Sequence, residues 1–160
     1  PVAAADQERE LRTVRGAVDA AVSACPHLEF APSAFSSADD SPFARPEVVL
    51  DALQKLERLA ARWARPGGIG HGDLGQMASE LGLDWVPFVA KTTLTKYARR
   101  YSFTWNGEKR IMGPHVRLGS GRGAGSIARI YLDKYEPEKA ADRRLIVAHV
   151  GRKLPDTTTG

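Results

Sequence analysis

The chain has 160 residues, of which 42% are hydrophobic and 26% charged, with one cysteine and a formal net charge of +4. This balance is that of an ordinary globular chain, and it excludes collagen-like, disulfide-stapled and intrinsically disordered proteins. No apolar run approaches the roughly 20 residues needed to cross a bilayer, and the first residues have no secretory signal pattern. We therefore expect a cytoplasmic protein that does not insert into a membrane.

Two features bear on the origin of the chain. Arg outnumbers Lys by 16 to 7, a bias that hints at a GC-rich bacterial genome. The chain begins at Pro1 rather than at Met, which favours a domain of a larger bacterial protein.

The first predicted element is a helix over 6–25 that carries a narrow apolar stripe. The stripe consists of Leu11, Val14, Val18, Ala21 and Cys25. Spacings of three and four residues place these side chains on one face of a helix, and Pro26 ends the pattern. This face either packs against the rest of the domain or binds a partner protein through the stripe at 11–25.

The segment that follows, up to residue 45, is rich in Ser, Ala, Pro and Asp. Such a composition predicts a loop or linker, which Phe30, Phe35 and Phe43 pin to the rest of the protein. We therefore place a boundary near residue 45, with a helical arm and linker at 1–45 and an α+β domain at 46–160.

Three further helices are predicted before the strands. The first extends over 46–65, with a proline in its first turn, where proline is favoured. Asp73 and Gln76 form a capping box that begins a short second helix, which Gly82 closes. A third helix is predicted over 92–101, because this stretch contains no Gly or Pro and its apolar residues share one side.

The apolar period changes from 3.6 to 2 after the third helix. The stretch 101–112 predicts a β-hairpin, because Asn106 and Gly107 accept the positive φ angles of a type I′ turn. Further strands are predicted at 114–118, 127–133 and 144–150. The connections are too short for a crossover helix, so we expect an antiparallel order.

The predicted fold class is therefore α+β, with N-terminal helices followed by a C-terminal antiparallel sheet of four to five strands. The helices of the domain occupy 46–101 and the sheet occupies 101–153. A chain of this length buries about 68–70% of its unfolded surface, so its core needs no metal or disulfide for support.

The charge is distributed unevenly along the chain. Residues 1–80 carry 8 basic and 12 acidic side chains, whereas 81–160 carry 15 and 7. A polyanion is the natural ligand of the basic half, because each Lys or Arg that meets a phosphate releases a counterion. The residues expected to contact nucleic acid are Lys91, Lys96, Arg99, Arg100, Lys109, Arg110, Arg117 and Arg122. The alternative is a solvated basic surface that serves solubility.

Residues 73–112 resemble a helix-turn-helix followed by a wing. Leu74, Ala78 and Gly82 occupy the relative positions of the apolar residue, the small residue and the turn glycine of that motif. The resemblance implies that 92–101 is a recognition helix in a major groove, and it favours DNA over RNA. The stretch DWVPFVAK makes the turn several residues longer than the motif requires. An ordinary helical hairpin is the alternative.

A second group of polar residues lies in the predicted strands. Strand alternation puts His115 with Arg117 on one face, Arg129 with Tyr131 on one face, and His149 on the face of Leu145 and Val147. Whether these faces coincide depends on the strand register. If they do, the candidate catalytic residues are His115, Arg129, Tyr131 and His149. Such a group suits RNA cleavage without a metal ion.

The segment ARIYLDKYE followed by RLIVAHVGRKL resembles the sheet of the RelE/ParE-type toxins, over about 100–153. The resemblance implies that Arg129 on a central strand and His149 on the last strand act on RNA. The chain lacks the helical pair that directly precedes the toxin sheet, and it carries about 100 residues that such toxins do not need. The alternative is a solvated sheet face with structural histidines.

The remaining motifs predict no metal and no cofactor. The glycine-rich loop 119–126 lacks the Gly-Lys-Ser/Thr ending of a Walker A loop and favours a mobile connection. No Cys-x-x-Cys or His-x-x-x-His spacing occurs. Nucleic-acid binding is the leading hypothesis, with a metal-independent ribonuclease and a protein-interaction module as alternatives, so whether the protein is an enzyme stays open.

Overall fold

The computed structural model describes residues 11–68 and 73–157. Within these ranges the helices are α1 (Val14–Ala24), α2 (Pro32–Asp39), α3 (Pro46–Trp63), α4 (Leu74–Glu80) and α5 (Lys91–Lys96), with a 3₁₀ turn at Ala140–Asp142. The strands are β1 (Leu28–Phe30), β2 (Asp84–Val86), β3 (Ser102–Trp105), β4 (Glu108–Ile111), β5 (His115–Gly119), β6 (Ile127–Tyr135) and β7 (Arg144–Gly151). The class is α+β, as predicted, with the helices mostly before the strands.

A mixed sheet with the strand order β1-β7-β6-β5-β2 organises the molecule. β6 pairs antiparallel with both β5 and β7, and β2 pairs antiparallel with β5. β1 is the exception to the predicted antiparallel order, because it runs parallel to β7. In the described ranges, no helix combines the length and the apolar character needed to cross a bilayer.

The predicted strands and hairpin are confirmed. β5, β6 and β7 agree with the predicted bounds to within about two residues at each end. β3 and β4 form a separate hairpin, and its two turn residues, Asn106 and Gly107, have φ angles of 49° and 75°. Both angles are positive, which is the requirement of the type I′ turn that the Asn-Gly pair predicts.

The apolar stripe of the first helix is part of the protein's own core. Val14, Val18, Ala21 and Cys25 are buried in one cluster with residues of α3 and of the sheet. Leu11 is the exposed member of the stripe. The stripe is therefore occupied by internal packing and is not available to a partner protein, which corrects the prediction that 11–25 binds one.

The segment predicted as a linker contains regular structure. β1 forms here because Leu28 pairs with Leu145 of β7, which is distant in sequence. α2 follows with Pro32 in its first turn, and Ala34 and Ala38 are buried on its inner face. Residues on both sides of the boundary predicted near residue 45 contribute to the same core cluster.

The helix predicted over 92–101 is shorter, and the two helices of 73–112 do not form a helix-turn-helix. α5 ends at Lys96, and residues 97–100 form a turn. The connection from α4 to α5 contains β2, which pairs with β5 in the main sheet. A helix-turn-helix requires a short turn between its helices, so this pairing excludes the motif. The capping box is also absent, because Asp73 makes no side-chain capping bond.

The two faces of the sheet have different coverings. One face, which we call the helical face, packs against α1 and α3 through residues such as Val116, Ile130 and Val147. The opposite face packs against the β3–β4 hairpin and against the segment that follows β7, through Tyr131, Ile146 and Leu154. We call this opposite face the site face, because the polar residues predicted from the strands lie on it.

The end of β7 gives a test of this packing at Gly151. A Cβ atom added to Gly151 would lie 2.9 Å from the Ser37 carbonyl oxygen and 2.9 Å from Ser41 Cβ, and the φ angle of Gly151 is 148°. We expect Gly151→Ala to lower the free energy of unfolding by about 1–3 kcal/mol, because it adds both a close contact and backbone strain. Urea denaturation measures this change.

Gly113→Ala is the matched control for this substitution. No atom lies within 4 Å of the Cβ that it would add, and Gly113 is not among the positive-φ glycines. We expect the control to change the free energy of unfolding by less than about 0.5 kcal/mol. If Gly151→Ala is as stable as Gly113→Ala, the close approach of α2 to the end of β7 is wrong.

Candidate functional site

The strand register places three rings side by side on the site face. Tyr131 of β6 is opposite His115 of β5 and opposite His149 of β7. The His115 ring stacks on the Tyr131 ring with a centroid distance of 4.9 Å, and the His149 ring meets it edge to face at 5.4 Å. Arg129 is two residues from Tyr131 on the same strand and therefore shares its face. The structure thus brings together all four predicted catalytic residues.

A β-bulge puts His149 on this face. The register shifts between Tyr131 and Leu132, which pair with His149 and Val147, so Ala148 is an extra residue in β7. Simple alternation predicts His149 on the face of Val147, but Val147 belongs to the core of the helical face. One extra residue reverses the direction of the following side chains, so the predicted face of His149 is wrong.

A cleft of about 340 Å³ opens beside these rings. We call it the site cleft, and its walls come from the sheet, the segment 86–90, the start of α5 and the residues after β7. The side chains of the sheet that line it are His115, Arg117, Arg129 and Tyr131. The other lining residues are Val86, Phe88, Val89, Ala90, Thr93, Tyr101, Lys153 and Asp156. His149 contacts Tyr131 but is not among the residues that line the site cleft.

The hydrogen bonding of His115 defines which ring nitrogen carries the proton. Nδ1 lies 3.1 Å from the carbonyl oxygen of Gly113. A carbonyl oxygen only accepts hydrogen bonds, so Nδ1 donates and Nε2 keeps its lone pair when the ring is neutral. Burial lowers the pKa of His115, and the positive charges of Arg129 and Arg117 add to this effect. The neutral ring, with Nε2 as a proton acceptor, is therefore the favoured form at neutral pH.

His149 is also held in one tautomer. Its Nε2 donates to the carbonyl oxygen of Arg152 at 2.7 Å. Burial lowers the pKa of His149, and the hydrogen bond to Arg152 opposes this effect. The positive charge of Arg100 lowers the pKa further. The ring edge rests against Tyr131, so His149 is a neutral residue that supports the position of the tyrosine.

Two tyrosine hydroxyls fix the segment after β7 to the site face. Tyr131 is 3% exposed, and its hydroxyl accepts from the backbone N–H of Leu154 at 3.1 Å. The hydroxyl of Tyr101 donates to the carbonyl oxygen of Pro155 at 2.8 Å. Burial raises the pKa of both tyrosines, so both stay protonated at neutral pH.

Arg129 differs from the other arginine of the site cleft in its partners. Its guanidinium donates to the carbonyl oxygen of Ala128 at 3.0 Å and forms no ion pair with a carboxylate of the described residues. Arg117, in contrast, makes two bonds of 3.0 Å to the carboxylate of Asp84. Burial lowers the pKa of Arg129, which means that its charge is partly desolvated. Arg129 is therefore the cation that gains most from a bound anion.

The residues predicted to contact nucleic acid fall into two groups. Arg110 and Arg117 are neutralised, because Arg110 lies 2.7 Å from Asp133 and Arg117 lies 3.0 Å from Asp84. The others are exposed and form no ion pair within the described ranges. These are Lys91, Lys96, Arg99, Arg100, Lys109 and Arg122. The predicted surface is therefore less positive around the two paired arginines than a count of charges indicates.

Lys153, Asp156 and Phe88 are among the residues of the site cleft that the sequence did not predict. Lys153 and Asp156 reach it because the chain folds back across the sheet after β7, and Phe88 reaches it from the β2–α5 connection. No local period marks such residues, since their position depends on contacts with distant strands. For Phe88, the available signal was an aromatic residue within the connecting stretch DWVPFVAK.

The described residues contain no group of three or more His, Cys, Asp or Glu side chains arranged to hold a metal ion. Comparison of the chain with protein-family models, with curated proteins and with solved structures found no match. The geometry of the site is therefore the basis for assigning a function.

The lowered pKa values of His115 and His149 predict a specific dependence of stability on pH. The pKa of each histidine is below the ordinary value of 6.5 in the folded protein. Between the folded pKa and 6.5, the unfolded chain therefore binds more protons than the folded protein. The free energy of unfolding should therefore fall as the pH decreases below about 6.5. We expect His115→Asn combined with His149→Gln to reduce this loss, because neither replacement titrates. Urea denaturation across this pH range measures it.

The same titration can be followed for each ring by NMR. We expect midpoints below 6.5 for both histidines in the folded protein. A midpoint at or above this value for His115 would contradict its desolvation beside the two arginines.

Proposed function

We propose that the protein binds RNA at the site cleft and cleaves it without a metal ion. The observation that carries this proposal is the strand register that places His115, Tyr131 and Arg129 together on one wall of the cleft. RNA is cleaved when a ribose 2′-hydroxyl attacks the adjacent phosphorus. This reaction requires a proton acceptor, a proton donor and a cation within one cleft.

The charge of the site cleft favours a phosphate. Arg129 is half-buried and forms no ion pair with a carboxylate of the described residues. Hydrogen bonds to a phosphate therefore replace the hydration that its guanidinium loses on burial. Arg117 and Lys153 line the same cleft. Asp156 is the acidic residue among the lining side chains, and it lies 3.0 Å from Lys153. Of the three cations that line the cleft, Arg117 and Lys153 are each paired with an aspartate, so Arg129 is the one that supports a phosphate ligand most directly.

The proton transfers follow from the protonation states of the rings. Nε2 of His115 accepts the proton of a ribose 2′-hydroxyl, and the 2′-oxygen attacks the adjacent phosphorus. Arg129 stabilises the negative charge that develops on the phosphoryl oxygens. The bond from phosphorus to the 5′-oxygen breaks as this oxygen receives a proton, for which Tyr131 is the donor. The products are a 2′,3′-cyclic phosphate and a 5′-hydroxyl, so DNA, which has no 2′-hydroxyl, is not a substrate.

The test is cleavage of a labelled RNA in the presence of EDTA. We expect His115→Asn to lower the rate by about 10²- to 10⁴-fold, because the asparagine amide reproduces the Nδ1 donor to Gly113 but has no proton acceptor at the position of Nε2. We expect Arg129→Gln to lower it by about 10²- to 10³-fold. Arg58→Gln removes the same charge from α3, on the opposite side of the sheet, and is the matched control.

Two outcomes would refute the ribonuclease proposal. One is intact RNA after incubation with the unmodified protein. The other is cleavage that continues in the His115→Asn protein at the rate of the Arg58→Gln protein, which would indicate a contaminating nuclease. An RNA with a 2′-deoxy residue at the cleaved position should stay intact in every case.

The second candidate function is nucleic-acid binding without cleavage, through the exposed cations around α5 and the hairpin. The supporting observation is that Lys96, Arg99 and Arg100 are exposed and follow one another closely at the end of α5 without an ion pair in the described chain. A phosphate backbone binds readily to such cations, because no carboxylate of the described residues competes with the phosphates for them.

We expect charge reversal at Arg99 and Arg100 to weaken binding of a labelled DNA duplex, with a smaller dependence of the logarithm of affinity on the logarithm of salt concentration. Two phosphate contacts account for a change of about 1.8 in that slope. Fluorescence anisotropy over a salt series measures it. Reversal at Arg58 and Arg62, two exposed arginines of α3, is the control. Equal slopes for the two variants would exclude a phosphate contact at Arg99 and Arg100.

A further inference from the structure

Phe88 has an unusual environment for a large aromatic residue. It is 68% exposed, which is more than Ile111 at 55%, the next most exposed large hydrophobic residue in the described part of the chain. Burial of apolar surface is favourable, so this much exposure leaves a substantial apolar surface for a ligand. None of the rings in the described ranges stacks on Phe88.

The backbone on both sides of Phe88 is anchored. β2, which ends at Val86, pairs with β5 at His115. After the phenylalanine, α5 holds the buried Thr93, whose hydroxyl lies 3.1 Å from the hydroxyl of Thr157. The ring is thus presented at the wall of the site cleft by two fixed elements.

The site cleft combines this apolar ring with cations. Phe88 lines the same cleft as Arg129 and Arg117. A nucleotide has the matching composition, because its base has a flat apolar face and its phosphate is an anion. The volume of about 340 Å³ is at the lower end of the range for small-molecule sites, so it suits one nucleotide unit rather than a duplex.

We infer that Phe88 stacks on the base of an unpaired nucleotide whose phosphate is held by Arg129, so that the ligand of the site cleft is single-stranded RNA. This inference rests on the proposed function. Bases in a duplex are already stacked on their neighbours, and only an unpaired base offers a free face to an aromatic side chain. The stack is tolerant of base identity, because every base has such a face.

The test uses a labelled oligouridine strand of about 12 nucleotides with 2′-O-methyl groups, which cannot be cleaved. We expect Phe88→Ala to weaken binding by about 5- to 150-fold and Phe88→Trp to restore it. A strand of the same backbone without bases should bind weakly and with equal affinity to the unmodified protein and to Phe88→Ala. Ile111→Ala removes a similarly exposed apolar side chain outside the cleft and should leave the affinity unchanged. Fluorescence anisotropy measures each affinity.

The outcomes separate the two proposals. If Arg129→Gln weakens binding of the oligouridine and Phe88→Ala does not, the stacking inference is wrong and the proposed function stands. If the unmodified protein binds neither strand, both are wrong. A loss on Phe88→Ala that is equally large for the strand without bases, or for an RNA duplex, would also overturn the stacking inference. Circular dichroism of Phe88→Ala should match that of the unmodified protein, because the side chain is outside the core.

Discussion

The pairing of β6 with both of its neighbours is the constraint on which the site depends. Tyr131 lies opposite His115 on one side and His149 on the other, and the hydrogen bonds of the backbone maintain both registers. Since side chains alternate with a period of two, a slip of one residue in either pair turns one histidine to the helical face. The bulge in β7 belongs to the same constraint, because it directs His149 away from the core that holds Val147.

Burial then gives the aligned residues their chemistry. The segment after β7 covers part of the site face, and its backbone is bonded to Tyr101, Tyr131 and His149. Desolvation lowers the pKa of the histidines and raises that of the tyrosines, so the rings are neutral while Arg129 keeps its charge. A proton acceptor next to a cation that pairs with no carboxylate of 11–68 or 73–157 is a consequence of this covering and not of the strands alone.

The basic residues of 81–160 do not form one continuous surface. Arg110 and Arg117 are bound to acidic residues that come from other strands. Arg129 is half-buried in the site cleft, whereas the cations near the end of α5 are exposed. This division gives the protein two regions that differ in geometry, a cleft of about 340 Å³ and an open surface with exposed cations.

Elements with local signals were predictable from the amino-acid sequence. Asn106 and Gly107 determined the hairpin, and period-two patterns determined β5, β6 and β7. Four features became visible only in the folded chain: the parallel strand β1, the strand between α4 and α5, the bulge that redirects His149, and the position of Phe88 at the cleft. The physical reason is that these features arise from hydrogen bonds and packing between segments far apart in sequence, and such contacts override local propensity.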